Sequence, residues 1–178
     1  MKSIDISIKS PLSFIETYKT QNITKGKNTM EYIVLHHTGG GTWVSNAQRL
    51  SNPKSGVSVH FVVWEDWKIY KLANGNQITW HAGVSSWEWK TNLNQYSVWI
   101  EIVWPWFTDI QRQSVRELIK YLLINLWLDY TKIIRHKDIA PKRKIDVDDT
   151  FWNNEYQTFN EYKLSFAQKD NLVMTKLI

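Results

Sequence analysis

Histidine is the residue type in this sequence best suited to bind a metal or to transfer protons, and it occurs five times, at His36, His37, His60, His81 and His136. A single histidine is more often a structural residue than a functional one. His36 and His136, however, each end an apolar run that is typical of a buried strand, so both side chains can emerge at one edge of a sheet. Asp146 follows His136 by ten residues, in a loop long enough to fold back.

Two imidazoles and one carboxylate form a three-ligand set for Zn²⁺ that leaves the fourth coordination position to water. Zinc lowers the pKa of such a water toward ~7 and so makes a nucleophile at neutral pH. The sequence contains no cysteine, so it offers neither disulfides nor thiolate ligands. Spacing alone is weak evidence for a metal site, because many chains contain two histidines and an aspartate.

The apolar pattern predicts strands and helices that interleave and bring these residues together. We predict an α/β fold of one domain, with a central mixed β-sheet flanked by helices. The longest predicted helix begins at Thr108, where Gln111 completes a capping box, and apolar residues recur at helical spacing from Val115 to Leu126. A second helix is predicted at 44–50, and strands are predicted at 31–37, 57–64, 68–73, 96–103 and 132–136, with a short strand and loop at 78–83.

The composition is that of a folded, soluble protein of ordinary domain size. The chain has 178 residues, of which 43% are hydrophobic and 22% charged. No apolar run is long enough to span a bilayer, and no apolar segment typical of a signal peptide is present near the N-terminus. We therefore expect synthesis in the cytoplasm, no membrane insertion and a monomer. The net charge of +5 suits an anionic polymer, but 141–144 is the only dense basic run, so nucleic acid is not an expected partner.

Five segments occur in the order found in zinc-dependent N-acetylmuramoyl-L-alanine amidases, and the chain resembles this family. They read YIVLHHTGG, SVHFVV, WHAGVSSWE, LNQYSVWIEIV and RHKDIAPKRKIDVDDTFW. The family includes amidase-type phage lysozymes, cytosolic anhydro-muropeptide amidases and peptidoglycan recognition proteins, and WHAGVSSWE is most similar to the anhydro-muropeptide branch. The resemblance implies a zinc amidase domain at 31–152, with an N-terminal extension or linker at 1–30 and a C-terminal tail at 153–178 that has room for a short helix.

The resemblance also implies a role for each matching residue. The zinc ligands that it implies are His36, His136 and Asp146. Lys144 matches the lysine that stabilises the oxyanion, and Glu101 matches the glutamate assigned as general base. The residues that match the substrate groove are Thr38, Trp80, His81 and Asn94, and we add His60 as a wall of the site.

This chemistry is coherent without the family, because amide hydrolysis needs a nucleophile, a stabiliser of negative charge and a proton for the leaving amine. Zinc and its water supply the first, zinc with Lys144 the second, and Glu101 the third. Taken singly, Glu101 is more simply a partner for a core histidine or arginine, and Lys144 a solvated loop cation. Beside a matching zinc set we favour the catalytic roles. In one departure, Val59 stands where phage-type members carry a tyrosine, which leaves proton transfer to Glu101.

The leading interpretation is an enzyme that cleaves the amide between the lactyl group of N-acetylmuramic acid and L-alanine of the stem peptide. An alternative is a module on the same fold that binds peptidoglycan or muropeptide without cleaving it. Non-catalytic relatives typically lose a zinc ligand, so the complete set here favours the enzyme. A zinc hydrolase of another amide is a third interpretation. The sequence leaves open whether the substrate is intact wall or a released fragment, and whether the chain belongs to a phage or a cell.

Tryptophan is unusually frequent in this sequence and glycine unusually rare. There are 11 tryptophans and 7 glycines, so glycine makes up about 4% of the chain against a usual ~7%. Several tryptophans stand where a turn, a helix end or a family strand would carry glycine. We predict that these are glycine codons read under the wrong genetic code, as when UGA encodes glycine but is translated as tryptophan. The predicted set is Trp43, Trp64, Trp67, Trp89, Trp99, Trp104, Trp106 and Trp127, whereas Trp80, Trp87 and Trp152 are predicted to be genuine.

The competing interpretation of the tryptophans is a carbohydrate-stacking surface, which requires the indoles to lie along one exposed face. They are instead scattered through predicted turns, strands and a helix end, so we favour the codon explanation. Restoring all eight would bring glycine to about 8% of the chain, near the usual ~7%. A chain that contains the tryptophans is expected to fold poorly, and Trp99 would share a strand face with Glu101 and crowd the site.

Overall fold

A computed structural model describes residues 12–105, 107–152 and 154–174. The strands of this part are β1 (Phe14–Ile15), β2 (Ile23–Thr24), β3 (Tyr32–His37), β4 (Phe61–Val63), β5 (Ile69–Lys71), β6 (Ile78–Thr79), β7 (Ser86–Trp87), β8 (Lys90–Thr91), β9 (Ser97–Ile102) and β10 (Ile133–Arg135). The α-helices are α1 (Trp43–Ser51), α2 (Asp109–Leu126), α3 (His136–Ile139) and α4 (Phe159–Met174). Short 3₁₀ turns lie at Pro53–Ser55, Leu93–Gln95, Tyr130–Lys132 and Asp149–Phe151.

Six strands form the central sheet in the order β1-β5-β4-β9-β3-β10. The strands from β4 to β10 in this order are parallel to their neighbours, whereas β5 is antiparallel to β4. The sheet is therefore mixed, as predicted for an α/β domain. Because the carboxyl ends of β9, β3 and β10 meet at one edge, residues at these strand ends are brought together, and this edge is where α/β proteins bind ligands.

The two faces of this sheet differ in the side chains that they bury at the carboxyl ends of β3 and β9. In the register of β3 and β9, Leu35 lies opposite Ile100 and His36 lies opposite Glu101. Since successive side chains of a strand point to opposite faces, Leu35 and Ile100 share one face and His36 and Glu101 share the other. The first packs against residues of α2 and α4, and we call it the helix-covered face. The second ends in the predicted metal ligands, and we call it the site face.

Helix α2 begins where the sequence predicts. The Thr108 hydroxyl accepts a hydrogen bond from Gln111 N (3.2 Å), which confirms the N-cap. The other half of the capping box does not form, because the buried Gln111 side chain donates instead to Val63 O and Val103 O. The predicted apolar stripe is buried at Val115, Leu118, Ile119, Leu122 and Leu123.

The strands are shorter than predicted, and for two of them the local reason is clear. The strand predicted at 57–64 begins only at Phe61, because Ser58 N donates to Trp80 O (3.0 Å), outside the central sheet. The strand predicted at 132–136 stops at Arg135, because the Asp138 carboxylate accepts from Arg135 N (2.9 Å) and starts helix α3. His136 is therefore the first residue of a helix and not the last residue of a strand.

Segments on both sides of residues 31–152 take part in the fold. β1 pairs with β5 and β2 pairs with β6, while residues 1–11 lie outside the described part. In place of a short helix in the tail, α4 runs over 16 residues. Its side chains Phe159, Tyr162 and Phe166 are buried in the core of the helix-covered face. In the described ranges, no helix has the length and apolar character required to cross a membrane.

Candidate active site

The three residues predicted to bind a metal meet at the carboxyl edge of the sheet. His36 lies near the end of β3, His136 begins α3, and the following loop brings Asp146 back, fixed by a hydrogen bond from Lys137 N to Asp146 O (2.6 Å). Asp146 Oδ2 lies 2.6 Å from His36 Nδ1 and 3.1 Å from His136 Nδ1. The donor atoms of the three residues all lie within 4.8 Å of one another, and all three residues are buried.

The surroundings of these residues set their protonation states to those that suit the binding of a cation. It lowers the pKa of His36 well below the ordinary value, and it lowers the pKa of His136, so both imidazoles are neutral at pH 7. Burial on its own would raise the pKa of Asp146, but hydrogen bonds from His136 and His36 outweigh it and hold that pKa below its usual range. Two neutral imidazoles and an ionised carboxylate are a donor set that fits Zn²⁺.

A second layer of contacts orients His136. Its Nε2 lies 3.4 Å from Ala82 O, so with a metal on Nδ1 the neutral ring would carry its single proton on Nε2, facing this carbonyl. The same carbonyl accepts a hydrogen bond from Arg143 Nη2 (2.6 Å), which also donates to Val84 O (3.1 Å). Gly83 has a φ of +57°, and a Cβ there would lie 3.1 Å from Arg143 Nη2, so this loop favours glycine. Arg143 thus fixes the Ala82 carbonyl, and this carbonyl in turn orients the proposed metal ligand His136.

Glu101 and Lys144 line the same cavity as the three ligands. The parallel register places Glu101 opposite His36 on the neighbouring strand. Burial raises the pKa of Glu101 to about 7, although a hydrogen bond from Trp99 Nε1 (3.2 Å) and the charge of Lys144 act to lower it. A carboxyl group with a pKa near neutrality can both accept and return a proton at pH 7.

The cavity above these residues has a volume of about 510 Å³, and three of the predicted groove residues line it: Thr38, Trp80 and His81. Two of them are fixed by hydrogen bonds. Thr38 Oγ1 accepts from Trp104 N (3.0 Å), and Trp80 Nε1 donates to Thr24 Oγ1 (2.8 Å). Burial lowers the pKa of His81, so its ring is uncharged at pH 7, where it forms part of the cavity wall.

Two other predicted groove residues, His60 and Asn94, lie behind the cavity wall. His60 is fully buried, its Nδ1 accepts from Trp99 N (3.1 Å), and burial lowers its pKa to about 4. Asn94 Oδ1 accepts from the backbone N–H groups of residues 81 and 82 (3.0 and 2.8 Å). In the structure both residues therefore support the site wall.

Polar residues that the sequence analysis did not single out also line the cavity, among them Asn46, Arg49 and Arg143. Asn46 and Arg49 lie three residues apart on α1, so helical spacing of polar residues after the HHTGGG segment could have pointed to them. The charge of Arg49 lowers the pKa of Glu101. The role of Arg143 carries no signal in the sequence, because it depends on how two loops meet.

Trp99 occupies the site face beside Glu101, as strand alternation predicts. It is 1% exposed, and the centroid of its ring lies 2.8 Å from that of His36 and 3.6 Å from that of His81. Carbon atoms of neighbouring groups make their best contacts at about 3.5–4.0 Å, so the indole crowds an imidazole that would bind the metal. The predicted crowding of the site is confirmed.

A mixed sheet whose carboxyl edge carries two imidazoles, an aspartate and a neighbouring glutamate is an arrangement that suits the binding of a metal ion. The sequence model of the N-acetylmuramoyl-L-alanine amidase family matches residues 26–149, and the chain belongs to this family. The resemblance found in the five segments is confirmed.

Individual relatives match more than half of the chain. The 1,6-anhydro-N-acetylmuramyl-L-alanine amidase AmpD of Haemophilus influenzae is 34% identical over 100 residues, or 53% of this chain and 54% of AmpD. The chain thus spans about half the length of the curated relatives it matches. Escherichia coli AmiD, solved in complex with anhydro-N-acetylmuramic acid-L-Ala-D-gamma-Glu-L-Lys, is 26% identical with a TM-score of 0.63, over 73% of this chain and 57% of AmiD. A mutant endolysin from Bacillus subtilis shares the fold, with 22% identity and a TM-score of 0.67 over 87% of this chain and 99% of the endolysin.

Proposed function

We propose that this chain hydrolyses the amide bond between N-acetylmuramic acid and L-alanine in peptidoglycan or muropeptides. The observation that carries the proposal is the convergence of His36, His136 and Asp146 in one cavity with Glu101 and Lys144. A complete ligand set with an acid–base group beside it supports an enzyme over a module that only binds muropeptide. Membership of the amidase family supports the same reaction.

Zn²⁺ is the proposed metal, held by the two imidazoles and the carboxylate. Nitrogen ligands favour zinc over Mg²⁺ and Ca²⁺, which prefer sites made entirely of oxygen atoms. Zinc in such a site polarises the scissile carbonyl and lowers the pKa of a water molecule.

We propose that Glu101 transfers protons and that Lys144 stabilises negative charge. Glu101, with a pKa of about 7, accepts a proton from the attacking water and returns it to the amine of L-alanine as the amide bond breaks. Lys144 offers its ammonium charge to the carbonyl oxygen as that oxygen becomes negative. The two residues act on opposite parts of the reaction, so their loss should have separable effects.

The proposed substrate is a muramoyl peptide, and the similarity to AmpD and AmiD favours an anhydro-muramoyl form. Trp80 is 37% exposed at the cavity and offers a ring on which a sugar can stack. Arg49, on the same cavity, offers a guanidinium to a carboxylate of the stem peptide.

The test follows the release of new L-alanine amino termini from anhydro-muramoyl peptide and from intact peptidoglycan. The assay is run on the chain as printed and on Trp99→Gly, first with a chelator and then with zinc added back. We expect cleavage that is lost on chelation and recovered with zinc. Binding of the fragment without cleavage in both proteins would instead assign the chain to the non-catalytic class.

Matched variants separate the proposed roles. Glu101→Gln should lower kcat by roughly 10²-fold or more while zinc remains bound, because a general base is lost and the ligands are not. Lys144→Met should lower kcat, whereas Lys142→Met, two residues away on the exposed part of the same loop, should not. An equal loss in both lysine variants would show that Lys144 acts only through the charge of the loop.

A further inference from the structure

Trp127 ends helix α2 in a conformation that suits glycine. Its φ of 56° and ψ of 41° are left-handed. Leu128 N donates to Leu123 O (2.9 Å) and Trp127 N donates to Ile124 O (3.4 Å), which is the paired hydrogen bonding of a Schellman motif. The indole is 94% exposed, so no burial offsets the strain of a bulky residue with positive φ.

Trp67 stands at a second such position, in the hairpin between β4 and β5. Trp67 N donates to Trp64 O (3.2 Å) and Trp64 N donates to Lys68 O (3.1 Å). Trp67 follows the turn with a φ of 72°. This is the arrangement of a three-residue hairpin loop with a bulge, in which the left-handed residue is normally glycine.

Trp99 is unsuited to its position because of its surroundings and not because of its backbone. It lies inside β9, between β3 and β4, with its ring 2.8 Å from that of His36. Glycine inside a strand commonly marks a place where another group approaches closely, and a metal ligand with its substrate is such a group. Without a side chain at 99, the space beside His36, His81 and Glu101 belongs to the cavity.

The tryptophans predicted to be genuine fit as tryptophan. Trp80 has its Nε1 bonded to Thr24, Trp152 is buried among aromatic rings, and Trp87 packs against the apolar residues of the site face. For Trp64, Trp89 and Trp104, φ is not positive, so the backbone makes no demand for glycine. The side chain of Trp43 and the whole of Trp106 lie outside the described part of the chain.

We propose that the native protein carries glycine at positions 67, 99 and 127, and that glycine 99 is the residue that opens the metal site. Three unrelated environments share one substitution: a helix end, a hairpin bulge and a strand beside a metal site. A codon that the source reads as glycine, and the standard code as tryptophan, accounts for all three at once. The alternative is a real indole at 99 that closes the site, and it leaves the strain at 67 and 127 unexplained.

Peptide mass spectrometry of the protein isolated from its natural source tests the proposal independently of any activity. Cleavage after lysine and arginine yields peptides 55–68, 91–112 and 121–132, which contain positions 67, 99 and 127. Fragment ions should place glycine at each of the three positions. Peptide 145–163 contains Trp152 and should have the mass that the printed sequence gives. Tryptophan at 67, 99 and 127 in the native peptides would overturn the proposal.

Recombinant variants test whether glycine relieves the backbone strain at 127 and the crowding at 99. Their zinc measurements rest on the metal site proposed above. Trp99→Gly should bind zinc at least roughly tenfold more tightly than the printed chain in a competition titration with a chromophoric chelator. Trp127→Gly should raise the melting temperature of the metal-free protein by roughly 2–4 °C, whereas Trp127→Ala, which keeps the strained Cβ, should not. Equal melting temperatures for glycine and alanine at 127, with unchanged zinc affinity for Trp99→Gly, would remove the physical basis of the proposal.

Discussion

Among the described residues, each face of the central sheet buries one tryptophan, and the two are packed very differently. Trp152, in the core of the helix-covered face, is 2% exposed, and its ring centroid lies 5.0 Å from that of Phe159 and 6.0 Å from that of Tyr162. Trp99, on the site face, is 1% exposed, with its centroid 2.8 Å from that of His36. Aromatic pairs pack best at about 4.5–7 Å. Although both side chains are buried to the same extent, Trp152 is a well-packed core residue and Trp99 is overcrowded.

The difference reflects what each face is built to do. The helix-covered face buries apolar side chains of β3, β9, α2 and α4, and this burial stabilises the fold. The site face also buries apolar side chains, but at the carboxyl ends of its strands it buries imidazoles and carboxylates. Their desolvation is unfavourable unless a partner such as a cation compensates for it. Changes on one face should accordingly alter stability, and changes on the other should alter metal binding.

The largest effect is expected for Asp146→Asn on the site face. Loss of an ionised ligand should lower zinc affinity by more than the ~10–100-fold typical of residues that only support a ligand. Circular dichroism should show unchanged secondary structure, because Asp146 lies at the edge of the sheet. The neighbouring Asp148→Asn is the control, and an equal loss of zinc affinity in both variants would contradict the assignment of Asp146 as ligand.

Trp152→Ala on the helix-covered face should lower stability without altering metal binding. Removing a fully buried indole should lower the free energy of unfolding by about 3–5 kcal/mol, measured by urea denaturation. Zinc affinity at a temperature where the variant is folded should be unchanged. Trp99→Ala is the matched substitution on the site face, and a loss of stability as large as that of Trp152→Ala would show that the two indoles are packed equally well.

A smaller effect is expected for Arg143, which positions a metal ligand through Ala82 O. Arg143→Gln should lower zinc affinity by roughly tenfold, because His136 loses the support of a fixed carbonyl. Arg143→Lys should not restore the affinity, because the lysine side chain ends one bond short of Nη2, the guanidinium nitrogen that donates to both carbonyls. Lys142→Gln serves as control for the loss of charge, and the positioning role fails if it has the same effect on zinc.

A graded effect is expected in the pH dependence of stability of the metal-free protein. The folded-state pKa of Glu101 is about 7, above its ordinary value of 4.5, so its contribution is fully present below pH 4.5 and is lost as the pH rises through 7. Glu101→Gln lacks this dependence, so its stability relative to the parent should increase with pH by at most about 1.4 kcal/mol per unit in that window. Urea denaturation at several pH values measures the difference. Glu117→Gln on α2 is the control, and a parent whose stability does not fall relative to Glu101→Gln would speak against a raised pKa.

The parts of the fold that the sequence predicted are those governed by local patterns. The apolar run ending in His36, the cap at Thr108 and the stripe that follows it are set by residues close together in the chain, and the structure confirms all three. The conjunction of His36, His136 and Asp146 was implied by the family motifs, while spacing alone left it open. Strand alternation was enough to place Trp99 beside Glu101.

Other features depend on contacts between distant segments and could not be predicted. The shortened strand before Phe61 follows from the pairing of Ser58 with Trp80, and the support of His136 by Arg143 depends on the meeting of two loops. His60 resembled a site residue because it lies in a family motif, yet its ring hydrogen bonds point into the protein interior. Helix α4 was underestimated because its segment is polar overall, although Phe159, Tyr162 and Phe166 form a buried stripe.

Anomalous diffraction at the zinc edge, from crystals of the Trp99→Gly protein grown with zinc, tests the assigned metal centre most directly. We expect one peak per chain, bonded to Nδ1 of His36, Nδ1 of His136 and the Asp146 carboxylate, with Glu101 and Lys144 beside it. A peak at other histidines, or none at this edge of the sheet, would contradict both the metal site and the reaction proposed for it.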